Sequence, residues 1–505
     1  MQATKPHSAV LGDVARKVIK RYPFIFAVPV AKIFNRTIQS AVWPQQWLEE
    51  EVIVLPKSPG LLVRSEEDLR NIGKTAWLSK LLEAVLCDFI LPIVNPYLDP
   101  GQCGGLKGSS TTHYLVKMLD FIHKTLDKKS PHCAVLATED LSRAYNRGSH
   151  SLVVEDLHAM HLPGWLLALT CSYLCGRTMV LRYQKARSSS QPLPGGFSAG
   201  TNFGGLLFII KFNGICLRPP VPRPISRNKI FQAKYIDDCS QVASINMRAS
   251  LVPDQEKRPR PHNFHERTEM VLSQRENILQ QEMDMFSLEA SENKFIVNEK
   301  KCFIMKFSRS RKHDFPPEFS IGNSEILDVY TTLRILGIQI QSNLKWDAQC
   351  NQMISRASSK LWILRRMKAL GLGAGTMAKY WEMEGRGHLE MSCALWHGAI
   401  SKAQSNALEK VQRLALSTIT SWTLRYQDQL DLLGLEKLFS RRNKLCLTFA
   451  RRTATKSRHQ DIFQEAANAH NTRNQVKTYI EPRARTTAYQ KSAVPFLTRL
   501  LTSKN

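Results

Sequence analysis

Apolar residues along this chain fall into short runs and helical stripes, separated by polar segments that carry proline or glycine. Residues 1–60 read as mostly helical and close on a strand-like Glu51-Val52-Ile53-Val54-Leu55 before Pro56. Leu78, Leu81, Leu82, Val85 and Leu86 recur at helical spacing, which predicts an amphipathic helix within 69–100. A polar, glycine-rich loop follows at 101–108, and residues 133–136 form a short apolar strand that runs into Glu139-Asp140. Further on, apolar segments flank Tyr235-Ile236-Asp237-Asp238 with no Gly or Pro nearby. Side chains alternate along a strand, so a tight hairpin would hold these two acids at its tip.

A proline-rich, charged stretch between Asn246 and Asn263 predicts a surface loop, and a long helical pattern then runs from His265 to about Glu289. Strands are predicted again at 302–307 and 333–340. Beyond Trp346 the chain reads as mainly helical: Ile354, Ala357, Leu361 and Leu364 share a stripe, while Arg356, Lys360, Arg365 and Arg366 take other faces. The coarse plan is a mixed α/β region followed by a basic helical region, without internal repeats. Residues 205–210 are apolar but meet Lys211 at once, so no run reaches the ~20 residues of a membrane helix. Residues 24–30 are too short and too proline-broken for a secretory signal.

Composition narrows the partners. The 505 residues carry a formal net charge of +27 with 43% hydrophobic residues, enough for two to four domains with real cores. Residues 441–505 hold 14 Lys and Arg against 3 Asp and Glu. So uneven an excess points to a polyanion, nucleic acid before membrane. Eleven cysteines without a Cys-x-x-Cys pair read as reduced thiols of an intracellular protein, in the nucleus or cytoplasm. Cys171 and Cys175 lack partners at zinc-site spacing, residues 265–269 lack the second His of a zincin motif, and Trp396-His397 reads as core.

Two adjacent carboxylates repel each other and are costly to desolvate, so they call for a cation. A third would complete a two-metal phosphoryl-transfer centre. Asp140, at the end of the apolar strand and 97 residues before Asp237, is the candidate for that third acid. Taken alone it reads better as a helix N-cap ahead of Leu141-Ser142-Arg143-Ala144.

With Asp140 in place, an ordered series of segments resembles the reverse transcriptases of non-long-terminal-repeat retrotransposons. Leu69-Arg70-Asn71-Ile72 and Leu78-Ser79-Lys80 resemble the opening fingers segment, and Gln102-Cys103-Gly104-Gly105-Leu106-Lys107-Gly108-Ser109-Ser110-Thr111 the segment after it. Asp140 lies in motif A, and Ser172-Tyr173-Leu174-Cys175-Gly176-Arg177 matches the helix end before motif B. Pro194-Gly195-Gly196-Phe197-Ser198-Ala199-Gly200 falls at motif B, Asp237-Asp238 at motif C, Asn298-Glu299-Lys300-Lys301 at motif D, and Leu336-Gly337-Ile338 at the primer grip. Residues 263–269 and 483–489 also have the look of invertebrate retroelement polymerases.

The resemblance implies an α+β right-hand polymerase: fingers within 1–130, a palm with an antiparallel sheet over 131–345 (interrupted by a loop and helix at 246–290), a helical thumb over 346–430, and a basic C-terminal region over 431–505. It implies an RNA-directed DNA polymerase that adds deoxynucleotides to a primer 3′-hydroxyl on an RNA template. Asp140 and Asp237 would ligate two Mg²⁺ ions, with Mn²⁺ as the alternative, and Asp238 would support them. Tyr145 would be the steric gate against a 2′-hydroxyl. Arg70 and Lys107 would meet the triphosphate or else be solvated. Lys301 would protonate pyrophosphate or else be a surface lysine. Arg356, Lys360, Arg365 and Arg366 would grip the duplex through phosphates.

Motif B departs from the family. Ser198-Ala199-Gly200 replaces the usual Pro-Gln-Gly, so Gly200 still permits close approach but Ala199 removes a polar side chain. That favours, as the alternative, a catalytically impaired relic that binds RNA or DNA without polymerising. An acid-cluster nuclease would not explain the fingers and motif D segments. The chain carries no recognisable endonuclease, RNase H or zinc-knuckle segment, and reads as a fragment of a retroelement reading frame.

Overall fold

The computed structural model describes residues 16–503 apart from 58–62, 66–67, 131, 184–185, 216–229, 247–277, 310–318, 322–323, 326, 329–330 and 466–478. Its main elements, in chain order, are α1 (Pro23–Ser40), β1 (Glu49–Pro56), β2 (Leu69–Lys74), α2 (Trp77–Val94), α3 (Thr111–Leu126), β3 (His132–Glu139), α4 (Gly164–Leu174) and β4 (Thr178–Tyr183). It continues through α5 (Asn202–Asn213), β5 (Ile230–Tyr235), β6 (Asp238–Asn246), α6 (Ile278–Glu292), β7 (Phe303–Phe307), β8 (Leu327–Asp328), β9 (Thr332–Ile335) and β10 (Ile338–Gln341). The remainder is helical, with α7 (Asp347–Ala369), α8 (Lys402–Ile419), α9 (Leu438–Ala454) and α10 (Ala493–Thr502) as its main elements.

The fold is α+β, and its central sheet runs β8-β7-β3-β6-β5. β3 pairs antiparallel with β6 on one edge and with β7 on the other. Its side chains divide between two cores: Ala134 and Leu136 join a large cluster with α3 and the C-terminal helices. Cys133, Val135 and Ala137 instead join a smaller cluster with Leu279 and Met283 of α6. A strand covered on both faces reads as a continuous apolar run, which is why this one was legible in the sequence. A second sheet joins β1 antiparallel to β2 and parallel to β4, a pairing that no local pattern announces.

Two sequence expectations change. The strand predicted at 333–340 is a hairpin: β9 and β10 pair through Ile335↔Ile338, with Leu336 and Gly337 at φ 46° and 86°. Positive φ at both central positions suits the right-handed twist of the strands, and Gly337 was the signal for it. The helix expected from His265 begins, in the described residues, at Ile278, and the rest of that pattern lies outside them. The loop predicted between Asn246 and Asn263 and the segment 263–269 likewise lie outside them.

The apolar run at 205–210 belongs to α5, which is buried along nearly its whole length and capped by Thr201, whose Oγ1 accepts from Gly204 N–H at 3.0 Å. Its Lys211 is buried against Asp156 at 2.8 Å. Among the described residues no helix is long and apolar enough to cross a membrane.

Arg177, buried at the entry to β4, ties that strand to β1 through a 3.2 Å contact with the buried Glu50 and stacks 4.9 Å from the Tyr173 ring. Removing one partner of a buried pair leaves the other charge uncompensated. Arg177→Met is therefore expected to destabilise the fold by about 3–5 kcal/mol, and adding Glu50→Met to recover most of that loss. Chemical denaturation of the two variants checks the coupling.

Candidate active site

Tyr235↔Asp238 is the last pair of the β5–β6 ladder, so Ile236 and Asp237 are the two central residues of the turn. Ile236 has φ 60° and Asp237 does not share it, the pattern of a II′ turn whose first central position is ordinarily glycine. The sequence-predicted hairpin is therefore present, but with backbone strain at a β-branched residue. Register brings in the third acid. β3 pairs with β6 through Glu139↔Cys239, so Asp140, one residue on, ends its strand level with Asp238.

Residues 296–301 fasten Asp140 from the other side. Asn298 donates from its backbone N–H to the Asp140 carbonyl at 2.8 Å and from Nδ2 to Oδ2 at 3.2 Å. Lys301 Nζ stands 3.3 Å from the same oxygen, with its side chain 57% exposed. Asn298 belongs to the motif D segment, yet nothing in the sequence alone singled it out as the residue that holds Asp140.

The site is electrostatically uneasy. Loss of solvation raises the Asp237 carboxyl above its ordinary value, with the Asp140 charge adding to it and Lys301 opposing. The same loss of solvation, then the charges of Asp237 and Asp140, pushes Asp238 up to about 6. One residue before Asp140, the side chain of Glu139 is buried beneath the sheet, where Gln241 Nε2 donates to both its oxygens at 2.9 and 3.1 Å. Burial pushes that carboxyl up to about 8, which disfavours a fourth charge beside the cluster. Three acids against one lysine make an oxygen-rich, net negative site of the kind hard divalent cations take. Among the described residues no set of three or more His, Cys, Asp and Glu is drawn together so as to hold a metal by itself. Mg²⁺ fits such a site, since it takes one or two carboxylates and completes its shell with water and substrate phosphates.

The other sequence-predicted residues divide. Tyr145 is gathered in: its ring stacks on Phe208 at 4.4 Å, and its hydroxyl is pushed up to about 12 by burial and then by the Asp237 charge. Gly200 packs against β2, where a Cβ would lie 2.0 Å from the Gly73 carbonyl oxygen. Beside it Ala199 is exposed, while Ser198 is buried with its Oγ unpartnered. Arg70 is exposed on β2, and Lys107 is exposed and ion-paired with Asp88 of α2. Among the described residues neither bonds to the three carboxylates. On α7, Ala357, Leu361 and Leu364 are buried as the stripe predicted, while Ile354 is half-buried and Met353 beside it is buried. Arg365 and Arg366 are exposed, and Arg356 and Lys360 half-buried, Lys360 lying 3.6 Å from Glu384. Trp396 and His397 are core residues, and burial lowers His397 to about 4.

A carboxyl raised in the folded state costs stability only where it must ionise. For Asp238 that cost is absent below about pH 4 and grows as the pH rises through about 6. Asp238→Asn is therefore expected to raise the unfolding midpoint at pH 7 by roughly 1–3 °C and to leave it unchanged at pH 4. Calorimetry at the two pH values decides; an equal gain at both would contradict the assignment.

No protein-family model matches the chain. Two curated relatives from Drosophila melanogaster do. It is 24% identical over 238 residues, 47% of this chain and 26% of the relative, to "Probable RNA-directed DNA polymerase from transposon BS". It is 24% identical over 235 residues, 46% of this chain and 25% of the relative, to "Probable RNA-directed DNA polymerase from transposon X-element". The chain thus spans about a quarter of the length of these relatives. Among solved structures, apo telomerase from Candida tropicalis aligns with TM-score 0.45 and 11% identity over 83% of this chain and 70% of that one. The same telomerase with a TWJ fragment of telomeric RNA aligns with TM-score 0.42 and 12% identity over 83% and 64%. The chain is similar to transposon RNA-directed DNA polymerases, the family that its ordered motifs resemble.

Proposed function

We propose that this chain is the polymerising part of an RNA-directed DNA polymerase, joining deoxynucleotides to a primer 3′-hydroxyl on an RNA template. The observation that carries the reading is the convergence of Asp140, Asp237 and Asp238 at the end of β3 and the tip of the β5–β6 hairpin, with Lys301 against Asp140. Asp140 and Asp237 would hold Mg²⁺, with Asp238 in support. Bound there, the metal would supply Lewis-acid activation of the hydroxyl and charge neutralisation on the departing phosphates.

The chain's own residues then have distinct tasks. Asp140 and Asp237 orient the primer terminus and the nucleotide about one point, which is where most of the rate is gained. Lys301, mostly solvent-exposed at the rim, carries on Nζ a proton within reach of leaving pyrophosphate. Tyr145 cannot swing freely because its ring lies flat on Phe208, so it stands as a fixed wall against a ribose 2′-hydroxyl. Lys107 approaches the triphosphate only by exchanging its Asp88 partner, while Arg70 is exposed on β2. The exposed face of α7 meets duplex phosphates through Arg365 and Arg366 beside the 63% exposed Trp362.

Primer extension on an RNA template with Mg²⁺ tests the reading. Wild type is expected to extend, and Asp237→Ala to lose roughly a thousandfold or more, since a metal supplies several kcal/mol of transition-state stabilisation. Tight, salt-sensitive binding without extension by the wild type would replace the enzyme with a binding protein. Tyr145→Ala is expected to extend primers while accepting ribonucleotides more readily, read as the ratio of kcat/KM for the two sugars; an unchanged ratio removes Tyr145 from the gate.

A further inference from the structure

Gln102 lies in the loop between α2 and α3, 1% exposed, and its amide grips the turn that carries Asp237. Oε1 accepts from Ile236 N–H at 3.2 Å and from Gly104 N–H at 2.8 Å, while Nε2 donates to the Ile236 carbonyl at 3.5 Å. One side chain thus meets both backbone groups of the residue immediately before Asp237. That residue holds φ 60°, a conformation that a β-branched side chain keeps only where its surroundings enforce it.

The loop around Gln102 is laid against β5 as an extra strand segment. Cys103 N–H donates to the Lys234 carbonyl at 2.8 Å and Lys234 N–H to the Gly101 carbonyl at 3.1 Å. The approach is so close that a Cβ on Gly104 would lie 2.2 Å from Ile236 N. From behind, Arg458 of the C-terminal region donates through Nη1 to the carbonyls of Asp99 at 2.9 Å and Gln102 at 3.5 Å, and through Nη2 to Asn95 Oδ1 at 2.7 Å. Lys234 Nζ, fully buried, stands 3.3 Å from Asp99 Oδ2.

We propose that Gln102 is a positioning residue for Asp237. Its amide holds Ile236 at positive φ and so fixes where the Asp237 carboxylate stands relative to Asp140, with Arg458 securing the loop that carries it. An apolar side chain of the same length would fill the same space but leave the N–H and carbonyl of Ile236 without these partners. The turn would then relax toward ordinary φ and carry Asp237 off its place. The inference rests on the reading of Asp140 and Asp237 as metal-binding carboxylates of a polymerase.

The test compares wild type, Gln102→Met, Gln102→Glu and Asp237→Ala, each checked first by thermal unfolding. Mn²⁺ binding, followed by the loss of the free-ion electron paramagnetic resonance signal, reads the carboxylates without requiring turnover. Gln102→Met is expected to weaken Mn²⁺ binding about tenfold or more, the scale of two lost hydrogen bonds, with template–primer affinity held within about twofold, since that term comes from phosphate contacts elsewhere. Its primer-extension rate should fall at fixed Mg²⁺ and recover in part as Mg²⁺ is raised. Asp237→Ala sets the floor for Mn²⁺ binding. A folded Gln102→Met with wild-type Mn²⁺ affinity overturns the proposal. Gln102→Glu keeps the oxygen that accepts from Ile236 and Gly104 but loses the donor to the Ile236 carbonyl, so its Mn²⁺ affinity should fall by less than about tenfold. A fall to the Asp237→Ala floor overturns the proposal even where Gln102→Met does not fold. If wild type makes no extension product while Mn²⁺ affinity still depends on Gln102, the polymerase reading fails and the positioning role stands.

Discussion

The register of β3 against β6 is the constraint on which the site depends. Because Glu139 faces Cys239 across the ladder, the strand that ends in Asp140 and the hairpin that carries Asp237 and Asp238 stop at the same level. A slip of one residue would turn Asp140 toward the opposite face of the sheet and exchange it for the buried Glu139. The slip is prevented by the two cores that β3 separates: Ala134 and Leu136 fit one, Cys133, Val135 and Ala137 the other. Packing on both faces of one strand thus decides which carboxylate reaches solvent.

Such a site costs stability, and the surroundings divide that cost in several ways. Burial raises the Glu139 carboxyl and so disfavours a fourth charge. Lys301 offsets part of the charge on Asp140 without burying it, since its own side chain remains mostly in water. Ile236 accepts a backbone conformation meant for glycine, and the loop at Gln102 closes over it. These features are mutually consistent: an acid cluster needs a stiff scaffold, because like charges would otherwise separate as soon as the backbone allowed it.

Much of this was legible one residue at a time. The β5–β6 hairpin showed itself as two apolar segments around an adjacent Asp237-Asp238 pair, and the α7 stripe as Ala357, Leu361 and Leu364 at helical spacing. The parallel pairing of β1 with β4 did not, since parallel partners lie far apart in sequence; the α3 helix was legible, because Leu115, Met118, Leu119 and Ile122 recur at helical spacing. Gln102 stood within a recognised segment, yet its spacing gave no hint that the amide would reach residue 236. The split at Leu336-Gly337 could have been read from the glycine, because positive φ at that turn is a local demand.

By itself, then, the amino-acid sequence determined the element types, the three acids, the basic balance of the C-terminal region and the likeness to a polymerase family. These follow from residue type and short-range spacing, which a linear chain carries explicitly. Tertiary structure alone decided that Asp140 meets Asp237, that Glu139 is kept out, that Asn298 and Lys301 close on Asp140, and that Arg458 braces a loop more than 350 residues earlier. The reason is physical: each depends on which face of a strand is buried and against what. That is settled by packing among distant segments and not by any property of the residues in isolation.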